Sequence, residues 1–373
     1  MSEYQIFVKN DDYSELGQFI LSTGCKKILL VCGRSIERLQ IGTFLNSFEK
    51  ESRVSFIRFN EFQPNPQYES VVKGIEKFKK ENCEAILAVG GGSAMDVAKC
   101  IKLFANMDSS ENYLKQDIIP NDIKLFAVPT TSGTGSEATR FAVIYYNGEK
   151  QSVSDYSCIP SMVVFDASTL HSLPEYQRRV TMLDAFCHAI ESFWSVNSTD
   201  ESRDYSRKAI NNILRYMDLY LKNQNDGNVG MLEASNIAGK AINITQTTAG
   251  HAMCYKLTSL YGLAHGHAAA LCVSKLWPYM MKHKDKCTDP RGSEFLDQIF
   301  DEIAGAFGCE NGEQAVAQFT SIIKRFNLQI PEASEEEYII LKKSVNPVRL
   351  KNNPVGLDEN AIEQLYHEIL KGE

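Results

Sequence analysis

The chain has 373 residues, with 39 Lys and Arg against 47 Asp and Glu for a net charge of −8; 43% of it is hydrophobic and 23% charged. That balance is ordinary for a folded protein of one large domain or two; it argues against long disorder and offers no basic field to a nucleic-acid backbone. No stretch is apolar enough to span a membrane, and Met1-Ser2-Glu3-Tyr4 lacks a basic-then-apolar leader, so a cytoplasmic location is expected.

In chain order, the short apolar run Lys27–Cys32 stops at Gly33, as a buried strand does. Residues 54–59 alternate in polarity and end before the breaker-rich Gln63-Pro64-Asn65-Pro66. Tyr68–Lys80 sets Val71, Val72, Ile75 and Phe78 at helical spacing. Residues 85–89 form another apolar strand, followed at once by Gly90-Gly91-Gly92-Ser93 and a helical run to about Ala105. Residues 125–129 and 162–165 supply two more strands. Apolar strands separated by helix-length segments predict a mostly parallel sheet with helices on both faces. From about Pro174 onward apolar residues recur at helical spacing, and Glu335-Glu336-Glu337 reads as a solvated helix start. The expected division is an α/β domain over residues 1–170 and a helical domain over 171–373, with cofactor and substrate between them. Ten scattered cysteines without a C-x-x-C pair read as reduced core residues.

Strand, then Gly91-Gly92-Ser93, then helix suits an anion, because glycine lets the backbone approach closely and a new helix presents unpaired N–H groups. Asp96 and Lys99 follow on the same helix; a tight turn holding no ligand would also use these residues. A second loop, Pro129-Thr130-Thr131-Ser132-Gly133-Thr134-Gly135-Ser136-Glu137, follows the next strand. Gly133, Gly135 and Ala138 match the dinucleotide spacing, but the crowd of hydroxyls suits hydrogen bonding to a ribose or base better. A capped Ser/Thr turn is the alternative. Two such loops in one α/β domain favour a nucleotide.

Asp184 and His188 share one helix face at a separation of four, and His251 and His265 lie further along. Three imidazoles and a carboxylate suit a divalent transition metal with one position open to substrate oxygen. A helix pair plus core histidines would need no ion.

Gly90 through Lys99, Pro129 through Glu137 and Asp184-x3-His188 together resemble the iron-containing (group III) alcohol dehydrogenase family. His251 and His265 complete the likeness, the order Asp, His, His, His falling at intervals of 4, 63 and 14; Pro64-Asn65-Pro66 and residues 160–166 also conform. The resemblance implies an N-terminal dinucleotide-binding α/β domain, a helical C-terminal domain and a homodimer. It implies an NAD(P)H oxidoreductase that interconverts a small aldehyde and its alcohol, with the carbonyl polarised by the metal. Asp184, His188, His251 and His265 become ligands of Fe2+, with Zn2+ compatible. Gly91, Gly92 and Ser93 become pyrophosphate contacts, with Asp96 on the same helix, while Thr130, Thr131 and Thr134 line the nucleotide and Lys150 contacts the cofactor.

Several positions depart from the family pattern. Many members carry a second histidine four residues after the one matched by His251; here Tyr255 stands there and becomes a candidate proton relay, and the extra histidine His267 is a second candidate, as relay or substrate contact, with a surface or supporting role as its alternative. NAD-preferring members carry an acidic residue after the first strand, where this chain has Gly33-Arg34-Ser35, so NADPH is expected over NADH. Lys256 replaces a common proline, and with Arg140, Arg178 and Arg179 it suggests an anionic substrate. Residues 190–199 and 251–267 most resemble the phosphonoacetaldehyde reductase branch, which makes 2-hydroxyethylphosphonate. A general short-chain alcohol or lactaldehyde dehydrogenase is the rival within the family. A dehydroquinate-synthase-like lyase suits the ligand set poorly, since its metal site uses a glutamate and two histidines.

Overall fold

A computed structural model describes residues 4–345 and 347–371; Met1-Ser2-Glu3, read above for a leader, lies outside them. The strands are β1 (Tyr4–Phe7), β2 (Lys27–Cys32), β3 (Ser55–Phe59), β4 (Ala85–Gly90), β5 (Lys124–Pro129), β6 (Phe141–Tyr146), β7 (Glu149–Ser154) and β8 (Met162–Phe165). Six of them form one parallel sheet in the order β1-β8-β5-β4-β2-β3, and β6 and β7 pair as an antiparallel hairpin.

The inner strands β2, β4 and β5 are buried along nearly their whole length, which is why they read as unbroken apolar runs. The edge strand β3 is only half covered, and there the sequence alternates. Helices α1 (Ser14–Ser22) and α2 (Gln40–Glu51) bring Leu16, Ile20, Ile41 and Leu45 into one cluster with Ile28, Leu30, Leu87 and Phe126. Two further helices, α3 (Tyr68–Lys80) and α4 (Gly92–Phe104), pack together, and α4 lies against β4 and β5.

From β2 the chain moves outward to β3 on one side, and from β4 to β5 on the other, so the strand order reverses between β2 and β4. In open parallel sheets ligands bind beyond the carboxyl ends of the strands at such a reversal. Gly33 follows β2 there, and Gly91 follows β4.

Two elements of this unit have no counterpart among the predicted strands. The four-residue edge strand β1 is too short to show a period. The β6–β7 hairpin turns at Asn147-Gly148, both with positive φ (52° and 77°), an arrangement for which Asn-Gly is the strongest short signal.

Beyond Pro174 the chain is helical: α5 (Glu175–Trp194), α6 (Asp200–Leu221), α7 (Asn225–Thr245), α8 (Ala249–Tyr261), α9 (His265–Lys282), α10 (Ser293–Phe307), α11 (Gly312–Arg325), α12 (Glu335–Lys343), α13 (Pro347–Leu350) and α14 (Glu359–Lys371). This α/β domain followed by a helical one is the predicted fold class.

The chain divides into two compact units: one runs through Leu173 and adds Lys222–Leu232, the other holds Pro174–Leu221 and everything from Glu233 onward. Within the first unit Asn223 Nδ2 donates to the His171 carbonyl at 2.9 Å and ties that returning segment down.

The helical unit is built around aromatic contacts, Phe186 stacking on Phe307 at 5.1 Å and Trp194 meeting Trp277 edge-on at 5.7 Å. Each such fully buried side chain contributes about 1.5–3 kcal/mol, which helps offset the cost of the polar groups buried beside them. Helix α12 opens at Glu335 with a reciprocal cap between Ser334 and Glu337. All ten cysteines are free, and among the described residues no helix is long and apolar enough to cross a membrane.

Candidate nucleotide and metal sites

In the α/β unit, β4 runs through Gly90 and Gly91 into α4, whose first N–H groups carry no side-chain cap. A Cβ on Gly91 would come within 3.1 Å of Thr131, and one on Gly92 within 3.0 Å of Thr134. Glycine therefore lets the hydroxyl-rich loop close onto the glycine loop, and Thr130 N donates to the Gly90 carbonyl at 3.0 Å. The two sequence motifs form one feature around an uncapped helix N-terminus, the place where a phosphate binds best.

Buried Lys99 pins this arrangement. Its ammonium donates to the carbonyls of Ser136, Thr139 (2.6 Å) and Phe141 (2.8 Å), tying the second loop and the start of β6 to α4. Asp96 accepts from Ser136 Oγ at 3.1 Å, and Lys150 on β7 is close enough to act on its charge. Arg34 and Ser35 stand exposed at the head of the 3-10 turn that follows β2. In that turn Glu37 pairs with Arg58 at 2.8 Å.

Burial pushes the Asp96 carboxyl from 3.8 up to about 6, against the pull of Lys99 and the Ser136 hydroxyl. A pKa raised by folding means that the folded state holds the proton more tightly. The resulting stability is fully present below about pH 4 and is lost as pH rises through about 6. Replacing Asp96 with Asn removes this dependence. The stability difference, variant minus wild type, is expected to climb by about 2–3 kcal/mol between pH 4 and 6 and then level off. Denaturant unfolding of both proteins at several pH values checks it; a flat difference would refute the shift.

In the helical unit, α5 sets Asp184, His188 and Glu191 on one buried face at positions i, i+4 and i+7. Asp184, His188 and His251 of α8 each offer a ligand atom, all within 4.8 Å of one another. The His188 and His251 rings stack at 4.5 Å. His265, half-buried at the head of α9, brings Nε2 to 3.9 Å from Asp184 Oδ1. Gly266, next to it, allows this close approach: a Cβ there would lie 2.0 Å from the Val180 carbonyl and 2.7 Å from Asp184 Cβ.

The charges ask for a cation. Burial works against ionising Asp184, yet the surrounding imidazoles hold its carboxyl far below the usual range. Burial likewise disfavours a charged His251, and Glu191 and Asp184 overcome it to push the imidazole up to about 10. Asp184 Oδ1 and His251 Nε2 face each other at 3.6 Å, both buried and neither hydrogen-bonded. Two orphaned ligand-type atoms at that separation, with the His188 and His265 rings beside them, fit a divalent ion.

Residues 4–167 match the family model described as "Iron-containing alcohol dehydrogenase", and residues 179–370 match "Fe-containing alcohol dehydrogenase family, C-terminal". The chain belongs to the iron-containing alcohol dehydrogenase family. Alcohol dehydrogenase 4 of Schizosaccharomyces pombe is 30% identical over 318 residues, 83% of this chain and 73% of that one. Phosphonoacetaldehyde reductase of Streptomyces viridochromogenes is 28% identical, the match covering 80% of each chain. The crystal structure of sulfoacetaldehyde reductase from Bifidobacterium kashiwanohense in complex with NAD+ aligns with a TM-score of 0.83 at 25% identity, over 100% of this chain and 98% of that one. The protein is thus an enzyme, an oxidoreductase of the iron-type alcohol and aldehyde dehydrogenases.

One member of the site escaped the sequence analysis. Fully buried Glu191 takes the His251 Nδ1 proton donor on one oxygen; its other oxygen accepts from Thr248 Oγ1 at 2.6 Å and from the backbone N–H groups of Thr248 and His251, each at 3.2 Å. Such a carboxylate fixes the tautomer that turns Nε2 toward a metal. Its spacing, three after His188 and seven after Asp184, was the available signal.

The three arginines expected to suit an anion are each engaged within their own unit. Arg178 is buried against the Tyr220 ring and donates to the Tyr220 carbonyl at 3.0 Å, and Arg179 pairs with Glu175. Both serve the packing of α5. Arg140, in the α/β unit, lies over the Phe141 and Tyr156 rings and donates to the Tyr156 hydroxyl at 3.0 Å. Lys256 is half-buried on α8. Tyr255 stacks on the His265 ring at 5.6 Å and 9°. Buried His267 meets the Tyr176 hydroxyl through Nδ1 at 3.0 Å, and burial lowers its pKa.

Proposed function

We propose that this dehydrogenase interconverts a small anionic aldehyde and its primary alcohol, phosphonoacetaldehyde and 2-hydroxyethylphosphonate first, using NADPH in preference to NADH. Asp184, His188, His251 and His265 hold Fe2+, with Zn2+ suited to the same set. The observation that carries the anion is Lys256: half-buried one residue after Tyr255, on the helix that bears His251, it has no carboxylate partner among the described residues. A lysine ammonium without a carboxylate to pair with can grip a substrate anion as a point charge. Two similar proteins, named for phosphono- and sulfoacetaldehyde, point to the same class.

A bound divalent ion supplies Lewis acidity toward the carbonyl oxygen and a bound nicotinamide carries the hydride. Around them Gly91, Gly92 and Ser93 hold the pyrophosphate, Thr130, Thr131 and Thr134 line the nucleotide with Asp96 and Lys150, and Arg34 and Ser35 take a 2′-phosphate. Tyr255, laid on the His265 ring, offers its hydroxyl to the alcohol proton. His267, held by Tyr176, steadies α9 next to His265. Arg140 has the lesser share of the anion, its guanidinium being already engaged by Tyr156. The family resemblance is the ground for proposing a homodimer, and the scattered reduced cysteines for proposing a cytoplasmic location.

Initial rates with NADPH and anaerobically added Fe2+ on phosphonoacetaldehyde, sulfoacetaldehyde and propionaldehyde test this. An advantage of about a hundredfold in kcat/KM for an anionic aldehyde, about 2.7 kcal/mol, is expected, and Lys256→Ala is expected to erase it while sparing propionaldehyde. Comparable rates on all three would leave a generalist short-chain dehydrogenase. A preference for NADH beyond about tenfold would overturn the cofactor assignment.

A further inference from the structure

Cys254 lies one helical turn after His251 on α8, fully buried, with two contacts that matter together. Its Sγ sits 3.3 Å from the His251 carbonyl, within range for the thiol to donate, and 3.6 Å from Nδ1 of His265 on α9. A thiol is both a weak donor and a weak acceptor. With S–H given to the His251 carbonyl, the sulfur lone pair faces His265 Nδ1 and accepts its proton. The other ring nitrogen, Nε2, then keeps its lone pair and is the one that approaches Asp184, at 3.9 Å. His265 needs this restraint more than its neighbours do: its side chain is 37% exposed, against 1% for His251, and it stands at the helix terminus. Glu191 orients His251.

We infer that Cys254 is a positioning residue, its sulfur linking His251 and His265 and fixing the His265 tautomer that presents Nε2 to the ion, an inference that rests on the metal site proposed above. Outer partners of metal-bound imidazoles hold ring and tautomer, and their loss weakens metal binding by about 10–100-fold. A sulfur acceptor is weaker than a carboxylate, so the lower end applies. The thiol itself ligates nothing and takes no part in proton transfer.

The full-length protein, stripped and reloaded with Zn2+ or Co2+, is compared as wild type, Cys254→Ala and Cys254→Ser. Alanine is expected to weaken Zn2+ retention against a chelator by about tenfold and to alter the visible absorption of the Co2+ form, while NADPH binding stays unchanged as a check on the fold. Serine, which can still donate and accept, is expected to fall between. In the Zn2+-loaded wild type labelled with 15N-histidine, His265 is expected to carry its proton on Nδ1, a readout that needs no variant to fold. An alanine variant with wild-type Zn2+ retention and Co2+ spectrum, or a His265 Nδ1 without a proton, overturns the role of Cys254 and leaves the metal site standing. Failure of the wild type to bind either ion overturns both.

Discussion

Glu191→Gln is expected to cost about 10–100-fold in metal affinity while preserving the shape of the site. The glutamate is fully buried, and both its oxygens are engaged, one by the His251 ring and the other by Thr248 and two backbone N–H groups. A glutamine has one acceptor oxygen for those two sets of donors. If its amide NH2 faces Nδ1, two donors collide, and the imidazole relieves this by moving its proton to Nε2, the nitrogen that faces Asp184. If the amide is flipped, three donors lose their acceptor, including the Thr248 hydroxyl that also accepts from Trp194 Nε1 at 3.0 Å. Either way the metal-free fold loses a charge-assisted hydrogen bond, about 1.5–3 kcal/mol. Chelator competition and denaturant unfolding of the metal-free variant measure the two effects. Unchanged metal affinity would mean that Glu191 is only a packing group.

What the sequence disclosed follows from how each feature is built. Strands β2, β4 and β5 are covered on both faces and so appear as apolar runs, and the glycine loops sit where those strands end. Asp184 and His188 are close in sequence because one helix carries them, whereas the set with His251 and His265 stayed one of two readings until the family resemblance favoured it, since periodicity cannot show that α5, α8 and α9 converge. Glu191 was hidden because a carboxylate on a helix usually faces water, and only its burial against Thr248 and His251 reveals its work. The arginines misled for the opposite reason. Arg178 and Arg179 carry charge in the sequence, but their guanidinium groups are consumed by Tyr220, Glu175 and the Phe326 carbonyl. The β6–β7 hairpin was missed although Asn147-Gly148 marks it.

Gly266→Ala should do more damage at the metal centre than loss of a partner such as Glu191. The added methyl would lie 2.0 Å from the Val180 carbonyl oxygen and 2.9 Å from Asp184 N, atoms of the α5 backbone that have no rotamer by which to retreat. The only relief is for α9 to slide away from α5, carrying His265 and His267 with it and opening the 3.9 Å approach between His265 Nε2 and Asp184. Overpacking of this kind costs about 1–3 kcal/mol or more in stability. The same shift moves one proposed ligand away from the other three, and sites of this sort are sensitive to displacements well under 1 Å, on the order of the 0.5 Å tolerance for a preorganised constellation. Metal affinity is therefore expected to fall by more than the roughly 10–100-fold range typical of losing an outer hydrogen-bond partner. Gly305→Ala supplies the control, because a Cβ there meets nothing within 4 Å on α10. Alanine at that helical position is expected to be neutral or to stabilise by about 0.5–1 kcal/mol. Equal metal retention by the two variants would show that α5 and α9 can separate without disturbing the ligands, and that the close contact at Gly266 serves packing alone.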